Sequence, residues 1–153
     1  MERSLLVARL ISAPERVAVA ARRKAALDEA GGGPPAGEWS AAEVVGHLVS
    51  VETAVWQARL DSLDARGDTE PAWTWTEPGP ASEPEAATLE GALALFASLR
   101  AATVARVAGL DDARWARAGI HATYGRLDVA GLLEVAADHD DEHLAGMEAR
   151  GTA

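Results

Sequence analysis

The fold is decided by residues 39–50, which read WSAAEVVGHLVS and combine a helix start with an apolar stripe. Ser40 as the N-cap and Glu43 three residues later form a capping box, in which each side chain satisfies a free backbone N–H group of the first turn. Val44 and Leu48 then recur at helical spacing. The segment therefore predicts a helix that starts after Ser40 and runs to about residue 65, with one apolar side.

Three other stretches show the same helical periodicity. The first runs from about residue 4 to residue 30, and its SAPE stretch at residues 12–15 resembles a helix start, so we expect a break near Ser12. A third helix is expected over about residues 85–108, followed by a short helical turn within residues 109–115. The last helix begins at Asp128 as its N-cap. No segment shows the alternation of a strand, so we expect an all-α chain.

These elements predict a single domain, residues 1–153, built as an all-α four-helix bundle. The longest connection is residues 67–84, rich in Pro and acidic residues, which joins the second helix to the third. We expect it to cross over one end of the bundle.

Composition excludes several classes of function. The chain has 153 residues and a formal net charge of −10, which disfavours broad contact with the phosphates of nucleic acids. We find no Lys/Arg-rich amphipathic face, no apolar run of transmembrane length and no export signal, so we expect no membrane role and a cytoplasmic location. Because there is no cysteine, disulfides, thiolate metal ligands and a cysteine nucleophile are excluded.

The histidines are the residues most indicative of function. His139 and His143 are separated by one helical turn, so both imidazoles can reach one point, and both fall on the apolar stripe of the last helix. His47 falls on the inner side of the second helix. Three imidazoles with an open position for water or substrate are typical of a catalytic metal site. Zn, Ni, Cu or Fe(II) would suit such ligands.

Two other interpretations of these histidines stay open at this point. The rings could be hydrogen-bonded core residues without a metal. Alternatively, HDDEH at residues 139–143 formally matches the reversed zinc-protease motif, with Glu142 as the general base, although the chain is short for a peptidase with a substrate cleft. Among the acidic residues beside His139 and His143, Asp140 is a candidate to orient one of the two rings through a hydrogen bond to its outer nitrogen.

Two segments together resemble the DinB-like family. Residues 37–52, GEWSAAEVVGHLVSVE, are similar to its second-helix motif, and residues 125–144, which contain DHDDEHL, are similar to its fourth-helix motif. The pairing of W-S-x-x-E-x-x-x-H with a later H-x-x-x-H is the specific part, and the similarity spans nearly the whole chain.

The resemblance implies a DinB-like four-helix bundle with a long crossover between helices two and three, and a divalent metal (Zn, Ni or Fe) held by His47, His139 and His143. Relatives include thiol S-transferases that use bacillithiol or mycothiol and the mycothiol-dependent maleylpyruvate isomerases, and many are homodimers. Glu52 matches an acidic position that is frequent in the family and is a second candidate to support the ligands.

The loops supply the candidate pocket residues, which are Trp73, Trp75, His121 and Tyr124. On this basis we expect a metal-dependent S-transferase or isomerase that activates a low-molecular-weight thiol toward an electrophile. The alternative is a non-catalytic metal-binding stress-response protein of the same fold. No catalytic residue beyond the metal ligands follows from the sequence.

Overall fold

The computed structural model of the chain describes residues 2–65 and 67–150 and contains four long helical rods. The helices are α1 (Arg3–Ala30), α2 (Ala41–Val51), α3 (Ala58–Ala65), α4 (Leu89–Ala108), α5 (Asp112–Trp115) and α6 (Val129–Glu148). A π-helical segment, Glu52–Gln57, joins α2 to α3 into one rod, and a 3₁₀ turn, Pro84–Ala87, precedes α4. The predicted four-helix bundle, with its long crossover between the second and third rods, is confirmed.

The predicted starts of two helices are confirmed in atomic detail. At α2, Ser40 Oγ accepts a hydrogen bond from Glu43 N at 3.1 Å, and Glu43 Oε2 accepts one from Ser40 N at 2.7 Å. At α6, Asp128 Oδ1 accepts from Gly131 N at 2.8 Å. Both caps satisfy backbone N–H groups that a helix leaves free at its start, so the registers of the two helices that carry His47, His139 and His143 are set locally.

The expected break at Ser12 is wrong, because α1 continues through Pro14. Proline has no N–H to donate to the carbonyl four residues earlier, which here is that of Leu10. The side chain of Arg100, on α4, supplies the missing donor: its Nη1 lies 3.4 Å from Leu10 O. A tertiary contact that is invisible in the local sequence therefore replaces the helical hydrogen bond.

The expectation of a chain without strands is also wrong, since three short strands flank the bundle. They are β1 (Ala72–Trp73), β2 (Ala118–His121) and β3 (Gly125–Asp128), with β1 parallel and β3 antiparallel to the central β2. Strands of two and four residues are too short for an alternating pattern to be visible in the sequence. Their pairing attaches the crossover to the loop before α6.

Gly119 on β2 permits Trp73 of the crossover to pack directly against the strand. A Cβ at Gly119 would lie 2.5 Å from the indole ring of Trp73, so only glycine fits opposite that ring. Trp73 is buried, and its Nε1 donates to Ser62 Oγ at 3.0 Å. The crossover is thus held by one aromatic side chain inserted between α3 and β2.

The core consists of two apolar clusters. One contains Trp56 and the other contains Phe96. Along α4, buried Arg100 falls between Phe96 and Val107, which belong to different clusters. Its guanidinium pairs with Glu52 at 2.9 Å and with Asp140 at 2.6 Å. Ion pairs therefore tie together three of the four rods, and the contact of Arg100 with Leu10 O adds the fourth, α1.

Helix α4 is the one helix of the described residues that is long and apolar enough to span a membrane, with a hydropathy of 1.4 over its most apolar window. It packs against α1 and α2 and carries the buried ion pairs of Arg100. These contacts are those of a core helix in a bundle.

Candidate metal centre

Three imidazoles converge at one end of the bundle. His47 projects from α2, while His139 and His143 project from successive turns of α6. The Nε2 atom of His139 lies 3.3 Å from that of His47 and 3.2 Å from that of His143. The structure thus brings together the three histidines that the sequence singled out.

The tautomer of His47 is set by the crossover. Its Nδ1 lies 2.6 Å from the carbonyl oxygen of Pro78, which can only accept, so Nδ1 carries the proton. The lone pair of Nε2 is therefore directed at the other two rings. A backbone carbonyl on the far ring nitrogen is the usual support of a metal-binding histidine.

The spacing of the nitrogens fits a cation. A tetrahedral ion with metal–nitrogen bonds of about 2.0–2.1 Å separates its ligand nitrogens by roughly 3.4 Å, close to the two distances from His139 Nε2. Without an ion, one Nε2 proton of His139 would have to serve both neighbouring rings. A divalent metal would satisfy all three lone pairs at once.

Glu77 is a fourth group at this centre, and the sequence analysis did not identify it. Its Oε1 lies 3.6 Å from His47 Nε2, and the four candidate ligand atoms all lie within 4.8 Å of one another. The side chain is 58% exposed, so it can move without disturbing the core. Glu77 lies in the crossover, where no periodicity indicates which residue turns inward.

The histidines of α6 are held in the uncharged form that a metal requires. Burial, reinforced by the neighbouring imidazoles of His143 and His47, lowers the pKa of His139 to about 3. Burial is also the main cause of a lowered pKa at His143. Both rings are therefore uncharged at neutral pH, and each has one nitrogen lone pair available to coordinate.

Glu52 and Asp140, the expected supporting carboxylates, lie behind the site and bind Arg100 instead of a ring. Arg100 Nη2 donates to Glu52 Oε2 at 2.9 Å, and Arg100 Nη1 donates to Asp140 Oδ2 at 2.6 Å. His139 Nδ1 is buried and has no hydrogen-bond partner among the described residues. The two carboxylates thus position the rods that carry the histidines, without orienting an imidazole directly.

A cavity of about 400 Å³ opens beside the histidines. Trp75 packs against His139 with ring centroids 5.6 Å apart, and Trp56 lies behind it at 5.9 Å from the same ring. Of the four expected pocket residues, three line this cavity: Trp75, His121 and Tyr124. Trp73 does not line it and is instead part of the core.

The remaining charged residues at the cavity are three carboxylates and one arginine. Glu77, Asp138 and Glu142 line it together with His139 and His143. Arg59 does not line the cavity but contacts two residues that do, with its Cζ 5.6 Å from the ring centroid of Trp56 and 5.9 Å from that of Trp75. Neither Arg59 nor the wall that Trp56 forms was identified from the sequence, because both have the helical spacing of ordinary core residues.

Comparison with known proteins agrees with this architecture. The model of the DinB superfamily matches residues 9–147. No curated protein matches the chain. A solved structure of YfiT from Bacillus subtilis, described as a probable metal-dependent hydrolase with an unusual four-helix bundle topology, superposes with a TM-score of 0.67 at 19% sequence identity. The alignment covers 96% of this chain and 86% of that chain, and at this identity it establishes the fold.

Proposed function

Because the chain belongs to the DinB superfamily, we propose that it binds a divalent metal through His47, His139 and His143 and uses it as an S-transferase or isomerase that activates a low-molecular-weight thiol. The observation that carries the proposal is the convergence of three Nε2 atoms beside an aromatic cavity. The absence of cysteine is consistent with a sulfur nucleophile that comes from a small molecule.

A divalent cation held by these imidazoles would supply the positive charge that keeps a bound thiol as its thiolate at neutral pH. The residues of the chain would do the rest. Glu77 Oε1, close to His47 Nε2 and partly exposed, can accept the proton that the thiol releases. Trp56 and Trp75 cover one side of the centre and limit the access of water to the nucleophile.

The reaction would take place in the cavity. The thiolate sulfur attacks an electrophilic carbon, a carbon–sulfur bond forms, and the leaving group departs with the electron pair of the broken bond. In an isomerase the sulfur would instead add reversibly to an unsaturated carbon and leave after rotation about the former double bond. Both reactions need an open position beside the three imidazoles, as a catalytic centre provides.

Hydrolysis is a second candidate, because YfiT is described as a probable metal-dependent hydrolase. In this case Glu77 would accept a proton from water instead of from a thiol, and the electrophile would be an ester or amide. The same histidines and the same cavity would serve. A non-catalytic metal-binding role in stress response is the remaining alternative.

One experiment distinguishes the thiol-dependent enzyme, the hydrolase and the non-catalytic metal-binding protein. Metal-depleted protein is reloaded with zinc, nickel or iron(II) and mixed with mycothiol, bacillithiol or no thiol, together with 1-chloro-2,4-dinitrobenzene or p-nitrophenyl acetate. Loss of thiol that requires metal and disappears in His143→Ala supports the transferase. Ester cleavage without thiol supports the hydrolase, whereas stoichiometric metal without turnover over a broad panel of electrophiles supports the non-catalytic role.

Two further expectations belong to this proposal. We propose a cytoplasmic location, where small thiols are kept reduced, and a homodimeric state. Sedimentation equilibrium of the purified chain measures the second directly.

A further inference from the structure

Trp56 and Trp75 form a wall of the cavity beside the histidines, here called the inner wall, and the positive charge of Arg59 lies against both rings. Arg59 is only 5% exposed, and no carboxylate among the described residues forms an ion pair with it. Its Nη1 is buried without a hydrogen-bond partner, and its Nη2 makes one long contact, 3.4 Å, to Thr74 O. A buried cation without a counter-ion is costly for a fold, so its presence calls for an explanation.

Aromatic rings hold the guanidinium in place. Its Cζ lies 5.6 Å from the ring centroid of Trp56, 5.5 Å from that of Trp73 and 5.9 Å from that of Trp75. Each distance is within the range of a cation–π contact. Such contacts fix the position of the cation but do not neutralise its charge.

His121 lines the cavity. It is paired with Trp73 across β1 and β2, and the positive charge of Arg59 contributes to the lowered pKa of His121, after burial. Its Nδ1 accepts hydrogen bonds from Thr123 N at 2.9 Å and Tyr124 N at 3.2 Å. Nδ1 is therefore unprotonated, and the proton of this neutral ring resides on Nε2.

The Nε2–H group of His121 has no acceptor among the described residues, although the ring lines a cavity. We propose that the inner wall of the cavity binds the carboxylate of a small molecule, with His121 Nε2–H donating to it and Arg59 providing the positive charge. The wall formed by Trp56 and Trp75 would contact an apolar or aromatic body next to that carboxylate.

Charge distribution directs an anion to this wall. Asp138 and Glu142 lie on α6 next to His139 and His143, and Glu77 Oε1 lies 3.6 Å from His47 Nε2. A carboxylate would be repelled by those residues and attracted by Arg59, so a bound substrate would present its reacting end to the centre and its carboxylate to His121. The assignment of this carboxylate to a substrate rests on the proposed function, but the binding itself requires no turnover.

The test is a titration with benzoate, whose ring and carboxylate match the two parts of this wall. Tryptophan fluorescence follows the binding, and the ¹⁵N–¹H signal of His121 Nε2 reports contact with that atom. We expect saturable binding of benzoate and much weaker binding of benzamide, which lacks the charge. Equal binding of the two compounds, or an unchanged His121 signal at saturation, would overturn the proposal.

Four variants test which side chains bind the carboxylate. Arg59→Gln should weaken benzoate binding about tenfold, because it removes the positive charge that attracts the carboxylate, while Arg59→Lys should retain part of the affinity. His121→Asn keeps an acceptor for Thr123 N and removes the Nε2 donor, so it should also weaken binding without unfolding the loop. Arg22→Gln, which removes a cation paired with Glu90 on the surface, is the control and should bind normally.

Metal removal separates this site from the metal. The parent chain depleted of metal with EDTA should bind benzoate as well as the zinc-loaded chain does, since the carboxylate would be held by His121. Binding that appears only in the zinc-loaded chain would instead place the carboxylate on the metal and contradict the proposal. If benzoate binds as expected but no thiol is consumed, the proposed function fails while the carboxylate site stands.

Discussion

The Nε2 atoms of His47 and His139 lie 3.3 Å apart, although 92 positions separate the two residues in the chain. His47 lies on α2, which is capped at its start by Ser40, and His139 lies on α6, which is capped at its start by Asp128. Local signals thus set the two helical registers, and packing of the rods brings the rings together.

The first prediction concerns metal content. His47→Ala, His139→Ala and His143→Ala should each lower the metal bound after zinc loading to a small fraction of that in the parent chain, because each removes one of three nitrogen ligands. Helicity measured by circular dichroism should be largely retained. His121→Asn is the matched control and should keep its metal; if all three alanine variants unfolded instead, the rings would be core residues.

The second prediction concerns the buried ionic cluster. Arg100→Met should destabilise the protein by about 3–5 kcal/mol, since it leaves Glu52 and Asp140 buried without their cation. Arg106→Met removes an arginine that pairs on the surface with Asp61 and Asp64, and it should cost no more than about 1 kcal/mol. Urea unfolding of both variants makes the comparison, and equal losses would contradict this account of the core.

The third prediction is a pH dependence of the metal-free protein. Since the pKa values of His139 and His143 are lowered in the folded state, the unfolded chain binds protons that the folded chain excludes. Stability from this source is complete above the unfolded pKa of about 6.5 and is lost as the pH falls from there toward about 3. Urea unfolding in EDTA between about pH 8 and about pH 5 measures it.

The matching variant for that experiment is His139→Gln, which cannot take up a proton. Its stability should fall less steeply with decreasing pH than that of the parent chain over the same interval. A slope equal to that of the parent chain would show that His139 does not carry the effect.

The fourth prediction tests the attachment of the crossover. Gly119→Ala should cost about 1–3 kcal/mol, because its methyl group would overlap the indole of Trp73 and force that ring to move. Gly146→Ala places a methyl group in open space on helix α6 and should be neutral or stabilising by about 0.5–1 kcal/mol. Thermal unfolding of the pair compares the two, and an unaffected Gly119→Ala would show that the ring is not held there.

Much of the fold could be predicted because its signals are local. The capping box at Ser40, the N-cap at Asp128 and the i,i+4 pair of His139 and His143 are all visible in short segments. The break at Ser12 was mispredicted because the donor to Leu10 O comes from Arg100, 90 positions away. The strands were missed because two to four residues are too few to show a period.

The limits at the site have a similar origin. Glu77 lies in a loop whose residues follow no repeating pattern, so its approach to His47 depends on how the crossover docks against α2. Arg59 was not identified because a buried arginine and a solvent-exposed one look alike in a helical pattern. Residues from periodic elements could be assigned to the site from the sequence, whereas those whose position depends on tertiary packing could not.

The central claim is tested most directly by anomalous diffraction from crystals of the zinc-loaded protein, with data collected on both sides of the zinc absorption edge. The account predicts one anomalous peak within bonding distance, about 2.0–2.1 Å, of the Nε2 atoms of His47, His139 and His143. The absence of a peak at these three rings in protein that binds zinc stoichiometrically, or a peak held by other side chains, would contradict it.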